Sequence, residues 1–380
     1  IGPHGTVRPK TFFMEELDFI LRGEPELAAA ELLKSIEDGG HYPDGVVFNG
    51  KWEWNSYGKI SIISDLNKLP RLRFDNLDYE QYPYPVPPSN IKNCKTILYE
   101  ASRGCMYKCI FCWRTGFRDK YRQKNIDRIY EELLDLKERQ IKYVYFIDEV
   151  FPVNNEWSLK VGSILKELEL QWGCQTRPEF ILKDDVVKMM ISSGCRHVQI
   201  GLETTDPESY RISKKSSGNI DLAVLNSSIR RMLSNRIAVD LFLVCGLPGE
   251  TGKSLLNAVK NIRNFPLDKI KIIAHKALPF PGTELWDMGV REGKPLNTWS
   301  DIDRFSGLIG NTYRNKYHLQ KIIDRVLAYL NIFKTVKRIK SNLRNSYRLQ
   351  ITDIIKICYY AGCYFFPVIK NIKMRLINRT

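Results

Sequence analysis

Three cysteines, Cys105, Cys109 and Cys112, stand four and three residues apart in the run SRGCMYKCIFCW at 102–113. Thiolates this close, on a loop that follows the apolar run at 96–99, can turn toward one point and bind a soft metal or an iron–sulfur cluster. The set is one ligand short of a closed zinc site, which takes four and usually presents them as two C-x2-C knuckles. No second knuckle occurs in the chain. A cubane cluster normally has four cysteines, so three protein thiolates leave one iron open to a ligand from outside the protein. The alternatives are three buried cysteines without chemistry, or a zinc loop that borrows a distant ligand.

The elements that must carry this loop follow from an alternation of apolar runs and helical patterns. The runs lie at 96–99, 143–147, 170–176, 197–202, 238–244 and 270–274, with helices expected at 126–139, 157–168, 184–192, 221–234 and 253–264. That pattern predicts an α/β fold in which a parallel sheet is wrapped by helices. Six units suggest a partial barrel, open on one side. Chemistry in such barrels gathers at the C-terminal ends of the strands.

Those ends hold Asp148 and Glu149, Arg177, Glu203 and the turn VCGLPGET at 244–251. A carboxylate at 148 or 149 could receive an ammonium group, or cap the helix near Trp157. Arg177 could grip a carboxylate in two-pronged fashion, or close a salt bridge inside the barrel. Lys214 and Lys215 follow Glu203 and could simply be solvated. Gly246 and Gly249 permit a tight turn and close backbone approach to a ligand, while Thr251 can cap the next helix.

The cysteine spacing, with aromatic Phe111 directly before Cys112, resembles the radical S-adenosylmethionine (SAM) superfamily. The strand-end motifs follow in that family's order as far as PFPGT at 279–283, which is similar to its cobalamin-linked and methylthiotransferase-like branches. The resemblance implies a partial (β/α)6 TIM-type barrel at 92–287 with a [4Fe-4S] cluster on Cys105, Cys109 and Cys112. SAM would chelate the open iron, and an electron from a flavodoxin or ferredoxin would cleave it to a 5′-deoxyadenosyl radical. The radical would take hydrogen from a small-molecule, lipid or peptide substrate. Implied SAM contacts are Tyr107 and Phe111 on the loop, Asp148 or Glu149, Arg177, Glu203, and backbone around Val244 and Gly246. The family's Gly-Gly-Glu is absent after the second strand.

Residues 1–69 read as a small α/β piece. IGPHGTVRP at 1–9 and DFILRGEPELAAAELL at 18–33 resemble the second half of a cobalamin-binding, Rossmann-like domain. This places the chain nearest the cobalamin-dependent group and implies methylation of an unactivated carbon. The D-x-H-x-x-G cobalt-binding motif is nowhere in the chain, and His4 and His41 are poor substitutes. A cobalamin-independent cyclase or thiolation enzyme is the second reading, and a metal-binding module without turnover is the third. A helix starts at Pro25 with Leu27, Ala30, Leu33 and Ile36 expected inward, and Gly39 and Gly40 stop it. The chain opens on Ile1, which suggests a fragment.

Composition sets the remaining bounds. At 380 residues and 43% hydrophobic content the chain supports a large core. Nine cysteines and no opening signal peptide fit a reducing cytoplasm. Cys94, Cys174, Cys195, Cys245, Cys358 and Cys363 show no second cluster spacing and read as small buried hydrophobes. The proline-rich stretch at 70–91 reads as a linker. Of a net charge of +15, ten fall at 331–380, where eleven Lys or Arg face the single acid Asp353. The region 288–380 reads as helical and basic, with an amphipathic helix at 317–340. The uncharged run at 357–369 is shorter than the roughly 20 residues a span needs. It could lie on an anionic membrane or pack over the barrel mouth, and no RNA-binding module accompanies its charge.

Overall fold

Local signals for helix, strand and cap are met in order along the chain in a computed structural model. It describes residues 3–310 except 13–16, 40, 51–52, 57–58, 72–94, 114–119, 154, 216–219 and 268. Most of the expected linker, the expected helix at 317–340, the basic tail, and Cys94, Cys358 and Cys363 lie outside the described residues.

The N-terminal piece comprises α1 (Pro3–Val7), β1 (Phe19–Leu21), α2 (Pro25–Asp38), β2 (Val46–Gly50) and β3 (Glu53–Ser56). β1 pairs antiparallel with β2, and β2 antiparallel with β3, where the resemblance implied a Rossmann-like arrangement. Pro25 opens α2 and Gly39, at φ 68, ends it in the left-handed region that glycine adopts without strain. The helix buries Ala28 and Leu32 against Leu21 and Val46. The expected inward stripe is therefore corrected: Leu27, Leu33 and Ile36 are 41%, 64% and 51% exposed. The helix carries two apolar stripes, and the one holding small Ala28 allows close approach to the short strands.

The barrel begins with β4 (Thr96–Tyr99), followed by the two-residue strands β5 (Ser102–Arg103) and β6 (Arg122–Gln123), which pair antiparallel and flank the cysteine loop. Then come α3 (Ile126–Glu138), β7 (Tyr143–Phe146), α4 (Glu156–Glu167), β8 (Gln171–Thr176), α5 (Pro178–Ile181) and α6 (Asp184–Ser192). β9 (Cys195–Glu203), α7 (Pro207–Ile212), α8 (Leu222–Ser234), β10 (Ala238–Cys245), α9 (Gly252–Ile262) and β11 (Lys271–Lys276) complete it. The helices α10 (Glu284–Arg291) and α11 (Trp299–Phe305) close the described chain.

The six long strands form one parallel sheet in the order β11-β10-β9-β8-β7-β4. Each of these strands lies beside the one before it in the series. This is the expected partial barrel, with its two edges, among the described residues, at β4 and β11. Helical spacing fills the outer layer: α3 turns Ile129, Leu133 and Leu136 onto the sheet, and α8 turns Leu225, Ile229 and Met232. Phe146 and Phe151 stack with centroids 4.4 Å apart beside fully buried Trp172. Such pairs contribute about 0.5–1.5 kcal/mol beyond the area they bury.

A buried charge cluster ties the N-terminal piece to the strands flanking the cysteine loop. Arg103 and Arg122 sit opposite each other on β5 and β6, where like charges repel. Glu24, with no solvent exposure, accepts from Arg122 Nη2 at 2.7 Å and from the Ile63 N–H at 2.7 Å, with Arg103 Nη1 at 3.8 Å. Burial pushes its carboxyl pKa up, but the Arg122 bonds, the Ile63 N–H and the two positive charges carry it below the usual range. Arg103 is shared with Glu100 at 2.7 Å and with Glu26. The cysteine loop is thus anchored at its root.

Candidate active site

Between β5 and β6 the chain turns at Gly104, φ 84, and its N–H donates to Glu149 Oε2 at 2.9 Å. Cys105 and Cys109 are buried and Cys112 half-buried. Two backbone bonds hold the middle of the loop: Ile110 N donates to Ser213 O at 3.0 Å, and Leu285 N to Ile110 O at 2.9 Å. The loop is therefore clamped between the chain after α7 and the first turn of α10.

All three cysteines line one cavity of about 440 Å³ at the C-terminal ends of the strands. Its wall includes Phe111, Glu149, Gln175, Arg177, Gln199, Gly201, Glu203, Lys215 and Phe242. None of the three is in a disulfide among the described residues. Among the described residues no three His, Cys, Asp or Glu converge closely enough for a single metal ion. Three thiolates on one cavity wall are a set that a cubane can take at three of its corners, leaving one iron open. The open side of the set faces polar strand ends, where a SAM-like ligand has donors and acceptors. The residues present fit both groups.

Neighbouring Asp148 and Glu149 have different surroundings. Glu149 lines the cavity. Asp148 is 1% exposed and turned into the protein, accepting from the Ala101 N–H at 3.1 Å and from Ser102 Oγ. It fastens the chain after β4 and does not line the cavity. Burial, opposed by these hydrogen bonds, pushes its pKa up to about 7. The unfolded carboxyl, with a value of 3.8, binds fewer protons than the folded one between pH 3.8 and about 7. Folding stability contributed here therefore falls as pH rises through that window. Asp148→Asn should be more stable than the parent by about 1 kcal/mol or more at pH 8, since one pK unit is about 1.4 kcal/mol. The gain should vanish near pH 4, and denaturant melts of both proteins across that range check it.

Arg177, at the end of β8, is 5% exposed and already engaged. Its Nη1 donates to Cys109 Sγ at 3.4 Å and its Nη2 to Glu179 Oε1 at 2.7 Å, and the guanidinium lies 3.6 Å from the Tyr107 ring centroid. Burial pushes the Cys109 thiol pKa up, while the charges of Lys215 and Arg177 pull it down. Of the expected cofactor contacts on the loop, Phe111 lines the cavity and Tyr107 instead supports Arg177.

Glu203 occupies the cavity wall at φ 66 and pairs with Lys215 Nζ at 3.1 Å. Lys215 is 4% exposed, which corrects the solvated reading, whereas Lys214 pairs with Glu284 at the surface. Room for the pair comes from Gly201, where a Cβ would stand 2.6 Å from Glu203 Oε1. Sequence reasoning missed Gln175 and Gln199, which are in register on β8 and β9, and Phe242, in register with Gly201 on β10. Two-residue alternation backward from Glu203 along β9 would have found Gly201 and Gln199.

The turn after β10 keeps its N–H groups for the protein. Glu250, fully enclosed, accepts from Gly246 N at 2.6 Å, Leu247 N at 3.2 Å and Thr204 Oγ1 at 2.7 Å. Burial pushes its pKa up to about 7 against those bonds. Val244 packs against the cluster of Leu247, Ala277 and Leu285, outside the wall of the large cavity. The close approach permitted by Gly246, at φ 83, is to Gly307 of the chain itself. In PFPGT, Thr283 caps α10 by accepting from Trp286 N at 3.1 Å, and Gly282 lies against Val7.

A family model for the Radical SAM superfamily matches residues 99–262. An uncharacterized methyltransferase of Pyrococcus horikoshii is 25% identical over 342 residues, 87% of this chain and 71% of its own length. The cobalamin-dependent radical SAM methyltransferase TokK of Streptomyces tokunonensis is 23% identical over 324 residues, 80% of this chain. This chain spans only 44% of TokK. Among solved structures, the radical SAM methyltransferase TsrM of Kitasatospora setae, with cobalamin and a [4Fe-4S] cluster bound, has a TM-score of 0.61. It is 14% identical and aligns over 78% of this chain and 60% of its own, which establishes a shared fold. The match runs from the last residue of β4 to the end of α9 and takes in the cysteine loop and the parallel strands β7, β8, β9 and β10, so this stretch of the chain is similar to the Radical SAM superfamily.

Proposed function

We propose that the chain is the catalytic part of a radical SAM enzyme that methylates an unactivated carbon. The observation that carries the reading is one cavity lined by Cys105, Cys109 and Cys112 and by polar residues at three strand ends. A [4Fe-4S] cluster with SAM on its open iron would supply, once reduced, a radical able to take hydrogen from carbon. The three cysteines would hold the cluster. Glu149, fixed by the Gly104 N–H, would receive the SAM ammonium group, and the Glu203–Lys215 pair would border the rest of SAM. Gln175, Gln199 and Phe242, lower in the barrel, leave a largely neutral floor for substrate.

Cobalamin as methyl carrier is supported by the TokK and TsrM likenesses and by the N-terminal sequence. His4 does not offer it a ready ligand, since its Nε2 meets Thr11 Oγ1 at 2.8 Å and its ring packs between Phe12 and Trp299. The reductant would be a low-potential flavodoxin or ferredoxin. Among the described residues no helix is long and apolar enough to cross a membrane. Peripheral contact with anionic lipid would fall to the basic tail at 331–380.

Anaerobic reconstitution followed by dithionite and SAM should yield 5′-deoxyadenosine. Iron-loaded protein that releases none would remove the enzyme reading. Retention of cobalamin by this chain or by one extended upstream would favour methyl transfer, and retention by neither would favour a cobalamin-independent reaction.

A further inference from the structure

Arg177 is held from four sides. Its side chain is 7% exposed, its Nη2 serves Glu179 and the Lys215 carbonyl, its face lies on Tyr107, and its Nη1 points at Cys109 Sγ. Swinging away to meet an incoming carboxylate would abandon a buried ion pair, a cation–π contact near 3.6 Å and a charge-assisted bond. What it can do in place is direct an N–H at a sulfur. The charges nearby nearly cancel, because Arg177 has Glu179 and Lys215 has Glu203. A directed donor therefore outweighs net charge at this sulfur.

Hydrogen bonds to ligating sulfurs are among the factors that set the potential of an iron–sulfur cluster. The reduced cluster carries one more negative charge, spread partly onto its thiolates, so a donor to sulfur stabilises it more than the oxidised form. We propose that Arg177 is a positioning residue that raises the reduction potential of the cluster through its bond to Cys109, rather than a receiver of the SAM carboxylate. The inference rests on the reading of Cys109 as a cluster ligand. The electron comes from an external low-potential donor, and no bond is made or broken at Arg177.

The test is an EPR-monitored redox titration, without SAM, of anaerobically reconstituted parent, R177K, E179Q and the double variant R177M/E179Q. The double variant removes both charges together and leaves net charge unchanged. At the parent's midpoint its reduced-to-oxidised ratio should fall about tenfold, a shift of about 59 mV for one electron. R177K, which keeps charge but loses the planar fork, should fall part of the way, and E179Q should not fall. An iron-loaded double variant at the parent's midpoint overturns the inference. So does an unchanged potential with SAM binding weakened tenfold, which restores the carboxylate role. If the double variant takes up no iron, R177K decides alone: the parent's midpoint there also overturns it. Parent protein that holds no iron fails the cluster reading itself, a separate outcome.

Discussion

Alanine at Cys105, Cys109 or Cys112 should leave a folded protein whose iron content after anaerobic reconstitution is at least about tenfold below the parent's, since even outer-shell changes around metal ligands cost 10–100-fold. The same substitution at Cys174, Cys195 or Cys245 should leave iron unchanged, because these sulfurs are buried among core side chains. The contrast is sharp because, on the proposed reading, three thiolates would be the entire protein share of the cluster: removing one would leave two. Cys105 and Cys109 are 3% and 4% exposed, so their loss also opens a small void, and far-ultraviolet circular dichroism must accompany the iron assay. Equal iron in the Cys105 and Cys174 variants would end the cluster assignment.

Gly246→Ala should lower stability by about 3 kcal/mol or more, read as a drop in denaturant midpoint. Two costs combine. A residue with a side chain at φ 83 pays about 1–2 kcal/mol for the left-handed conformation. The added Cβ would also stand 2.6 Å from Gly307 O and 2.9 Å from Gly307 C, and overpacking typically costs another 1–3 kcal/mol. Neither atom belongs to a flexible side chain. The chain around Gly307 is itself bonded to the end of the barrel, Gly307 N to Ala277 O at 2.8 Å, so the neighbour cannot easily retreat. Were the glycine there for a ligand alone, the variant would melt like the parent and lose only SAM binding.

The cysteine triad, the six strands and the helices between them were legible in the sequence because local spacing determines each of them. Periodicity of two or nearly four marks buried faces, and a short-range cap such as Thr251 on α9 marks a helix start. The inward face of α2 was not legible. Two apolar stripes satisfy the same periodicity, and only contact with Leu21 and Val46 selects Ala28 and Leu32.

By itself, the order of residues determined the cysteine spacing, the parallel barrel and the places along the chain where polar groups cluster, since these depend on residue type and separation along one chain. Tertiary structure alone decided how those polar groups are used. Asp148 turns inward to Ala101 while Glu149 faces the cavity, Lys215 is buried on Glu203, and Glu250 takes the N–H groups of Gly246 and Leu247. A buried charge or N–H must find a partner, and that partner lies on another strand or loop, far away in sequence.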